Sequence, residues 1–269
     1  MLKAIWSSSY KKYFWILKVM NKRMYQIFNK VQENHWWFQA RNNIVRKNLS
    51  DIYGLTKKRI LDIGCGSGLM IETLHKTYDI YGLEKSRIAI NLSKKINKSR
   101  IKQGYLPEKV PFKKKFDAIL MMDVLEHIED DFTSLLVINK LLKRKGRLII
   151  TVPAFMFLWS KFDEENHHKR RYKINELKYL LKQSGFSLEK ITYYNFFLSP
   201  IAFIERLLIK VFSLSATQSL KVPIKPLNNF FYFLFNAEYS FLKYLDFPFG
   251  LSIIAIARKD KGNGFSSLK

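Results

Sequence analysis

Four carboxylates and two histidines stand at positions where a folded chain could bring their chemistry together. Asp62 and Glu84 lie at the ends of two short apolar runs, Asp123, Glu126 and His127 follow a third, and His168 sits in a later polar loop. Carboxylates at strand ends accept hydrogen bonds from hydroxyl and ammonium groups, and a histidine beside them can carry a proton near neutral pH. Directly after the first run comes Gly64-Cys65-Gly66-Ser67-Gly68. Glycines there allow positive φ and close backbone approach, which a nucleotide-like ligand lying over a strand end requires. The dinucleotide fingerprint would need its third glycine at Leu69, or at Ile71 if the frame starts at Gly66, and fails in both registers. A phosphate loop would need Gly-Lys-Ser/Thr, which is also missing. The pattern that remains is Asp-x-Gly-x-Gly-x-Gly with no lysine to meet phosphate. Glu84, twenty residues beyond Gly64, is placed to accept both hydroxyls of a ribose. A ribose clamp without phosphate machinery suits a nucleoside that carries an amino acid.

The elements that must position these groups alternate. Arg59–Ile63 is a short apolar strand, 69–76 a helix, and 80–83 a second strand; Ser86 caps a helix running to about residue 98. Phe116–Met122 is a buried strand, 131–143 a helix, and Lys145-Gly146 turns the chain into a strand over 147–152. Strands and helices alternating at this spacing imply a parallel sheet with right-handed crossovers. Asn175 is placed to cap a helix ending at Gly185, 186–196 reads as a strand, and 250–258 as the last one.

Asp62 with Gly64–Gly68, Glu84, and Phe116-Asp117 opening a strand that ends Asp123-Val124-Leu125-Glu126-His127 together resemble the class I S-adenosylmethionine-dependent methyltransferases, over roughly residues 55 to 195 plus the last strand. The resemblance implies an α/β fold: a Rossmann-like, doubly wound, seven-stranded sheet with helices on both faces and an antiparallel final hairpin. It implies S-adenosyl-L-methionine as cofactor, with Asp62 and the backbone of Gly64, Cys65, Gly66 and Gly68 facing the methionine moiety, Glu84 holding the ribose, and Asp123 near the amino group. Members often carry an acidic residue after the third strand; here Gly104 is followed by Tyr105, so adenine is assigned to stacking on Tyr105 or to the backbone of Leu106. Cys65 and His75 read as a packing and a surface residue, and Asp117 as a solvated strand end.

Methyl transfer is an in-line displacement in which positioning and exclusion of water supply much of the rate; a base is needed when the nucleophile must lose a proton. His127 and His168 are the catalytic candidates. No metal is assigned, although Asp123, Glu126 and His127 are similar to the Glu-x-x-Glu-His that holds a divalent ion in some relatives, with His167 or His168 able to complete the set. In 153–172, Trp159, Phe162 and Asp163 precede His167-His168-Lys169-Arg170-Arg171-Tyr172; the arginines either grip an acceptor anion or pair with Asp163, Glu164 or Glu165. His35-Trp36-Trp37-Phe38-x-x-Arg41, with this loop, resembles a bacterial subgroup associated with surface-polysaccharide or lipid-linked synthesis. Trp36 and Trp37 either cover the cofactor or pack an N-terminal helix on the sheet.

Composition bounds the rest. The chain has 269 residues, 48% hydrophobic and 26% charged, too apolar for a disordered protein. The lone Cys65 excludes an internal disulfide and a cysteine-based zinc cluster, and points to a reducing compartment. No cleavable signal or plain membrane span is visible. Net charge +25 and 15% aromatic residues leave open nucleic acid, an anionic membrane, or a lysine-rich solvated surface. Residues 1–50 read as a helical, aromatic extension, 51–258 as the methyltransferase domain with an apolar helical insertion over about 197–248, and 259–269 as a disordered tail. Within 196–214, Glu205, Arg206 and Lys210 span roughly 140° of a helical wheel, opposite Phe203, Ile204, Leu207, Leu208 and Val211. Such a face can lie in a membrane interface or cap the sheet. The expectation is therefore O-methylation of a small-molecule or lipid-linked glycan acceptor, in the cytoplasm or peripherally at the inner membrane face. A nucleic-acid methyltransferase ranks below it because no RNA-binding motif appears.

Overall fold

The computed structural model describes residues 31–93, 100–204 and 222–260. Helix α1 (Trp36–Tyr53) leads into β1 (Arg59–Ile63), α2 (Leu69–Leu74), β2 (Asp79–Glu84), α3 (Arg87–Leu92), β3 (Ile101–Gln103) and β4 (Phe116–Met122). Then come α4 (Asp131–Leu141), β5 (Leu142–Pro153), the short α5 (Lys161–Glu165), α6 (Ile174–Gln183), β6 (Phe186–Tyr194), α7 (Lys225–Leu242) and β7 (Ser252–Lys259). The seven strands order β3-β2-β1-β4-β5-β7-β6, and β7 runs antiparallel to both neighbours. This is the expected doubly wound sheet with its final hairpin.

The period of two along each strand divides the core. Leu61 and Ile63, Ile119 and Met121, Leu148 and Ile150 face α4 and α6, where Leu135, Ile138, Leu177 and Leu181 meet them. Ile60, Leu120 and Ile149 face the other way, onto Val45 and Leu49 of α1 and Met70, Ile71 and Leu74 of α2. Most of these side chains are fully buried, each stabilising the fold by about 1.5–3 kcal/mol. Asp62 and Thr151 share the α1 face by the same alternation. The glycine loop folds back over β2 because Gly82 has no side chain: a Cβ there would lie 2.5 Å from Cys65 Sγ and 2.7 Å from Ile71 Cδ1. That contact accounts for Cys65 as a packing residue.

Several boundaries differ from the expected ones. The 50/51 division falls inside α1, whose Val45 and Leu49 belong to the sheet's own core. Asn175 lies within α6 rather than at its cap; Glu176 caps instead, its Oε2 accepting from the Lys173 N–H at 2.9 Å. Strand β6 stops at Tyr194 because Asn195 turns to φ +59°. Lys259 is not tail but the last residue of β7, its Nζ donating to the carbonyls of Asn139 (2.7 Å) and Leu142 (3.2 Å). Residues 261–269 lie outside the described residues.

Of the insertion, residues 199–204 begin a helix and α7 is described whole; Glu205, Arg206 and Lys210, on which the amphipathic reading rested, lie outside the described residues. α7 straps α1. Asn228 accepts from the Trp36 N–H (2.9 Å) and donates to the Asn34 carbonyl (3.0 Å), while the Tyr239 hydroxyl donates to Asp51 (2.6 Å). Trp36 packs on Phe231 and Phe235 of α7, with ring centroids 5.5 and 5.9 Å away. Among the described residues no helix is long and apolar enough to cross a membrane.

Candidate active site

The carboxyl ends of β1, β2 and β4 carry the predicted cofactor residues side by side. Gly64, Gly66 and Gly68 all take positive φ (70°, 57° and 88°), and a Cβ on Gly64 would strike Val124 Cγ2 at 2.4 Å. A Cβ on Gly66 would meet nothing nearer than 4.0 Å, so one wall of the loop is open. Glu84 binds that loop directly: its carboxylate accepts from the Gly66 N–H (2.9 Å) and the Ser86 N–H (2.7 Å). Burial pushes its pKa up, and the two amides oppose the shift. Asp62 is buried, Oδ1 has no partner, and burial raises its pKa to about 7 against the pull of Arg41. The thiol of Cys65 is pushed well up, first by burial and then by Asp62 and Glu84. Tyr105 is exposed beside Lys85, whereas the Leu106 side chain is in the core, leaving only its backbone for a ligand.

Asp123 takes φ +54° at the end of β4 and is already engaged. Its Oδ2 pairs with Arg41 of α1 and its Oδ1 accepts from Thr151 Oγ1 (3.2 Å). Arg41 is therefore a site residue that the sequence reading left unassigned, although the spacing His35-Trp36-Trp37-Phe38-x-x-Arg41 held the signal. Its guanidinium lies over Trp37 (4.8 Å) and Phe38 (5.4 Å), so Trp37 faces this arginine while Trp36 packs α1 against α7. Tyr194, at the end of β6, was also unassigned. Arg41 Nε, Asp62 Oδ1, both carboxyl oxygens of Glu126, Tyr194 Oη and Asn195 Oδ1 are all buried without a hydrogen-bond partner. Buried polar groups are otherwise nearly always paired, so orphans gathered at one end of a sheet mark a place where a ligand supplies the partners.

The histidines meet beyond Asp123. His127, in the turn after β4, and His168 are T-shaped with ring centroids 4.7 Å apart. The protein packed around the inner side of His127, followed by His168, pushes its pKa down to about 4, while its outer edge reaches solvent. Burial pushes the Glu126 pKa well up, with Asp123 adding to the effect. The metal set Asp123–Glu126–His127 is not assembled in that form, since Asp123 serves Arg41 and Thr151. Glu126, His127 and His168 instead bring one ligand atom each within 4.8 Å of one another.

Both loop arginines are committed inside the protein. Arg171 makes a two-pronged pair with Asp163 (2.8 and 3.0 Å), and Arg170 pairs with Asp131 (2.8 Å), so neither is free to grip an acceptor anion. His167 is exposed with φ +58°. Asp117 is a clamp rather than a solvated end, accepting from the Arg59 N–H (2.9 Å) and Lys143 (2.8 Å). His75 is exposed and bonds its own helix at the Glu72 carbonyl (2.7 Å), as a surface residue would.

The mouth has an aromatic lip. Phe155 stacks on Tyr193 (4.8 Å, 20°) and meets Phe157 (5.1 Å), which in turn reaches Phe203 (6.2 Å). Phe157 is 64% exposed, and Met156, Ile201 and Ile204 beside it are exposed too.

Residues 35–191 match the model of the methyltransferase domain family. The chain is 28% identical over 215 residues to a ubiquinone biosynthesis O-methyltransferase of Pelagibacter ubique, covering 66% of this chain and 89% of that protein. It is 30% identical over 110 residues to the Bradyrhizobium diazoefficiens protein of the same name, covering 39% and 44%. Its fold superposes with TM-score 0.58 and 15% identity on Haemonchus contortus phosphoethanolamine N-methyltransferase 2 in complex with S-adenosyl-L-methionine, covering 90% of this chain and 58% of that one.

Proposed function

This chain belongs to the class I S-adenosylmethionine-dependent methyltransferase family, and from that premise we propose that it methylates a hydroxyl on a small, partly apolar acceptor, free or lipid-linked. S-adenosyl-L-methionine is its methyl donor. The observation that carries the reading is the set of orphaned buried polar atoms on Arg41, Asp62, Glu126, Tyr194 and Asn195 toward the carboxyl end of the sheet, the end that also carries the open glycine loop. A nucleoside carrying a charged amino acid fits that donor set: a carboxylate beside the loop for ribose, a buried carboxylate and a guanidinium for the amino-acid end.

When bound, the donor supplies an electrophilic methyl group on a sulfonium. The chain's own residues do the rest. Glu84 orients the ribose, Gly64 and Gly66 let the backbone approach, and Asp62 with the Arg41–Asp123 pair holds the amino-acid end. Tyr105 and the Leu106 backbone receive the adenine. His168, with His127 beside it, takes the proton that the acceptor hydroxyl loses. The name of the Pelagibacter relative supports oxygen as the methylated atom. The lip of Phe155, Phe157, Tyr193 and Phe203 supports an acceptor with an apolar part, and the exposed residues beside it support peripheral contact with an anionic membrane by a chain of net charge +25.

Incubation with methyl-tritiated donor, cell extract and defined hydroxyl acceptors tests this. Label in an O-methyl small molecule or lipid is expected; label in RNA or on nitrogen overturns it. Sedimentation with anionic vesicles across a salt series tests the membrane contact, and retention on RNA without vesicle binding would favour the nucleic-acid reading. The spacing of Glu126, His127 and His168 favours one second reading, a divalent cation held by those three residues. Such an ion would acidify a coordinated hydroxyl. Turnover that survives a strong chelator eliminates it.

A further inference from the structure

We propose that Asp163 is a positioning residue: it fixes His168 as the Nδ1–H tautomer so that Nε2 carries the free lone pair facing the acceptor. This rests on the methyl-transfer reading above and assigns the working atom within it.

The side chain of Asp163 is fully buried, although it lies in the short helix α5 of the segment between β5 and α6. Its Oδ1 accepts from Arg171 Nε (2.8 Å) and lies 2.8 Å from His168 Nδ1. Its Oδ2 accepts from Arg171 Nη2 (3.0 Å), the Ser160 N–H (2.8 Å) and Ser160 Oγ (3.3 Å). Four donors besides that ring nitrogen hold the carboxylate ionised, and an ionised carboxylate can only accept. The proton of the contact with His168 must therefore sit on Nδ1, which leaves Nε2 unprotonated in the neutral ring.

The loop that carries this group is pinned to the catalytic end of the sheet. The Lys169 N–H donates to the Glu126 carbonyl (2.7 Å), and Arg171 Nη1 donates to the carbonyl of Ala154, just past β5 (3.1 Å). The His168 side chain is 9% exposed, with His127 on one side and Phe162 on another (6.2 Å), so the ring has little freedom to turn. A buried pair such as Asp163–Arg171 is weak evidence for stability, because hydrophobic replacements of such pairs are often neutral or better. Its use is to hold a carboxylate where a histidine needs one. Arg171 balances the Asp163 charge, and His168 gains orientation from the same group.

In the reaction the acceptor oxygen forms the new O–C bond, the C–S bond breaks with its electron pair left on sulfur, and the hydroxyl proton passes to His168 Nε2. The resulting imidazolium keeps its Nδ1–H on Asp163 and returns the Nε2 proton to solvent.

The chain has five histidines, so imidazole 15N NMR of the uniformly labelled, metal-free full chain is tractable, with His168→Gln giving the assignment. In the neutral ring, a protonated-type Nδ1 and an unprotonated-type Nε2 are expected for His168. The opposite tautomer overturns the proposal without any variant having to fold. In Asp163→Asn, the tautomers should mix and kcat should fall about 100-fold or more, as expected when a catalytic histidine loses its orienting carboxylate. The acceptor KM and the affinity for S-adenosylhomocysteine should stay within about threefold, since Asp163 touches neither ligand in the proposed arrangement. Full kcat in that variant, with its fold intact by melting, also overturns the proposal. Correct tautomers in a protein that methylates no hydroxyl would sink the functional reading and leave the ring geometry standing.

Discussion

Asp62 makes donor binding depend on pH in a direction that can be worked out. Its pKa is raised to about 7 by burial. A donor whose amino-acid end and sulfonium carry positive charge binds the ionised carboxylate. The protein must therefore give up a proton on binding wherever Asp62 is still protonated. At about pH 6 roughly a tenth of the molecules hold Asp62 ionised, and at about pH 8 roughly nine-tenths do. Affinity should rise about tenfold across that window, equivalent to about 1.4 kcal/mol. The donor's own α-amino group titrates at the upper edge of the same range, near about pH 7.7–8.0, and opposes the trend there. Asp62→Asn removes the first effect and keeps the second, so the difference between the two proteins isolates the carboxylate. Calorimetric titration with S-adenosylmethionine at several pH values, in buffers of different ionisation enthalpy, reads both the affinity and the protons released. The folding sign also follows. A carboxyl whose folded pKa is raised favours the folded state below its unfolded pKa, and that contribution is lost as pH rises through about 7. The unliganded Asp62→Asn protein should thus melt higher than wild type at about pH 8 and gain little at about pH 4. Parallel affinity profiles for the two proteins would refute the placement of Asp62 at the donor.

Glu84→Ala should weaken S-adenosylhomocysteine binding by about 1–3 kcal/mol, since both the ribose contact and the tether to the Gly66 N–H are lost; unchanged affinity would place the ribose elsewhere. Arg41→Ala leaves Asp123 without its cation and should cost about 2–4 kcal/mol in chemical denaturation, with donor affinity falling in step. If stability drops but affinity holds, Arg41 serves only the fold. Cys65 should resist thiol reagents in the native protein and react on unfolding, because burial holds its thiol protonated; prompt native labelling would contradict that. Phe157→Ser should leave S-adenosylhomocysteine binding intact while raising KM for apolar acceptors, and equal KM values would remove the lip from the acceptor path.

The legible parts of the fold were those fixed by local pattern. β1, β2 and β4 stood out because apolar alternation ended at glycine or acid, and Ser86 was recognisable as a cap. The clustering of the proposed cofactor residues was legible for the same reason: Asp62, Gly64–Gly68 and Glu84 are within 23 positions of one another, and β1–β2 register alone brings them together. Arg41 was not, because its partner Asp123 lies 82 residues away and only the packing of α1 on the sheet joins them. Tyr194 escaped likewise, and of Asp163 only the pairing with Arg171 was legible, not the contact with His168. A tyrosine ending a strand looks like any β residue, and Asp163 acquires its role only when the loop closes on His168 and Arg171. The misplaced end at Lys259 has a local origin: a lysine before Asp260-Lys261-Gly262 reads as solvated, but its amine is drawn inward by two helix-end carbonyls.

The charge of the chain and the charge of its site have opposite signs. Asp62, Glu84 and Asp123 gather at the carboxyl end of the sheet with Arg41 among them, while Arg171 is spent on Asp163. The excess of lysine and arginine therefore lies outside this site. An acidic pocket suits a cationic donor, and the sulfonium loses its charge on methyl transfer, which weakens the hold on the product. The same pocket repels a polyanion. A nucleic acid would have to bring its phosphates past carboxylates to reach the histidines, whereas an uncharged hydroxyl on an apolar body meets no such barrier along the Phe155–Phe157–Tyr193 wall.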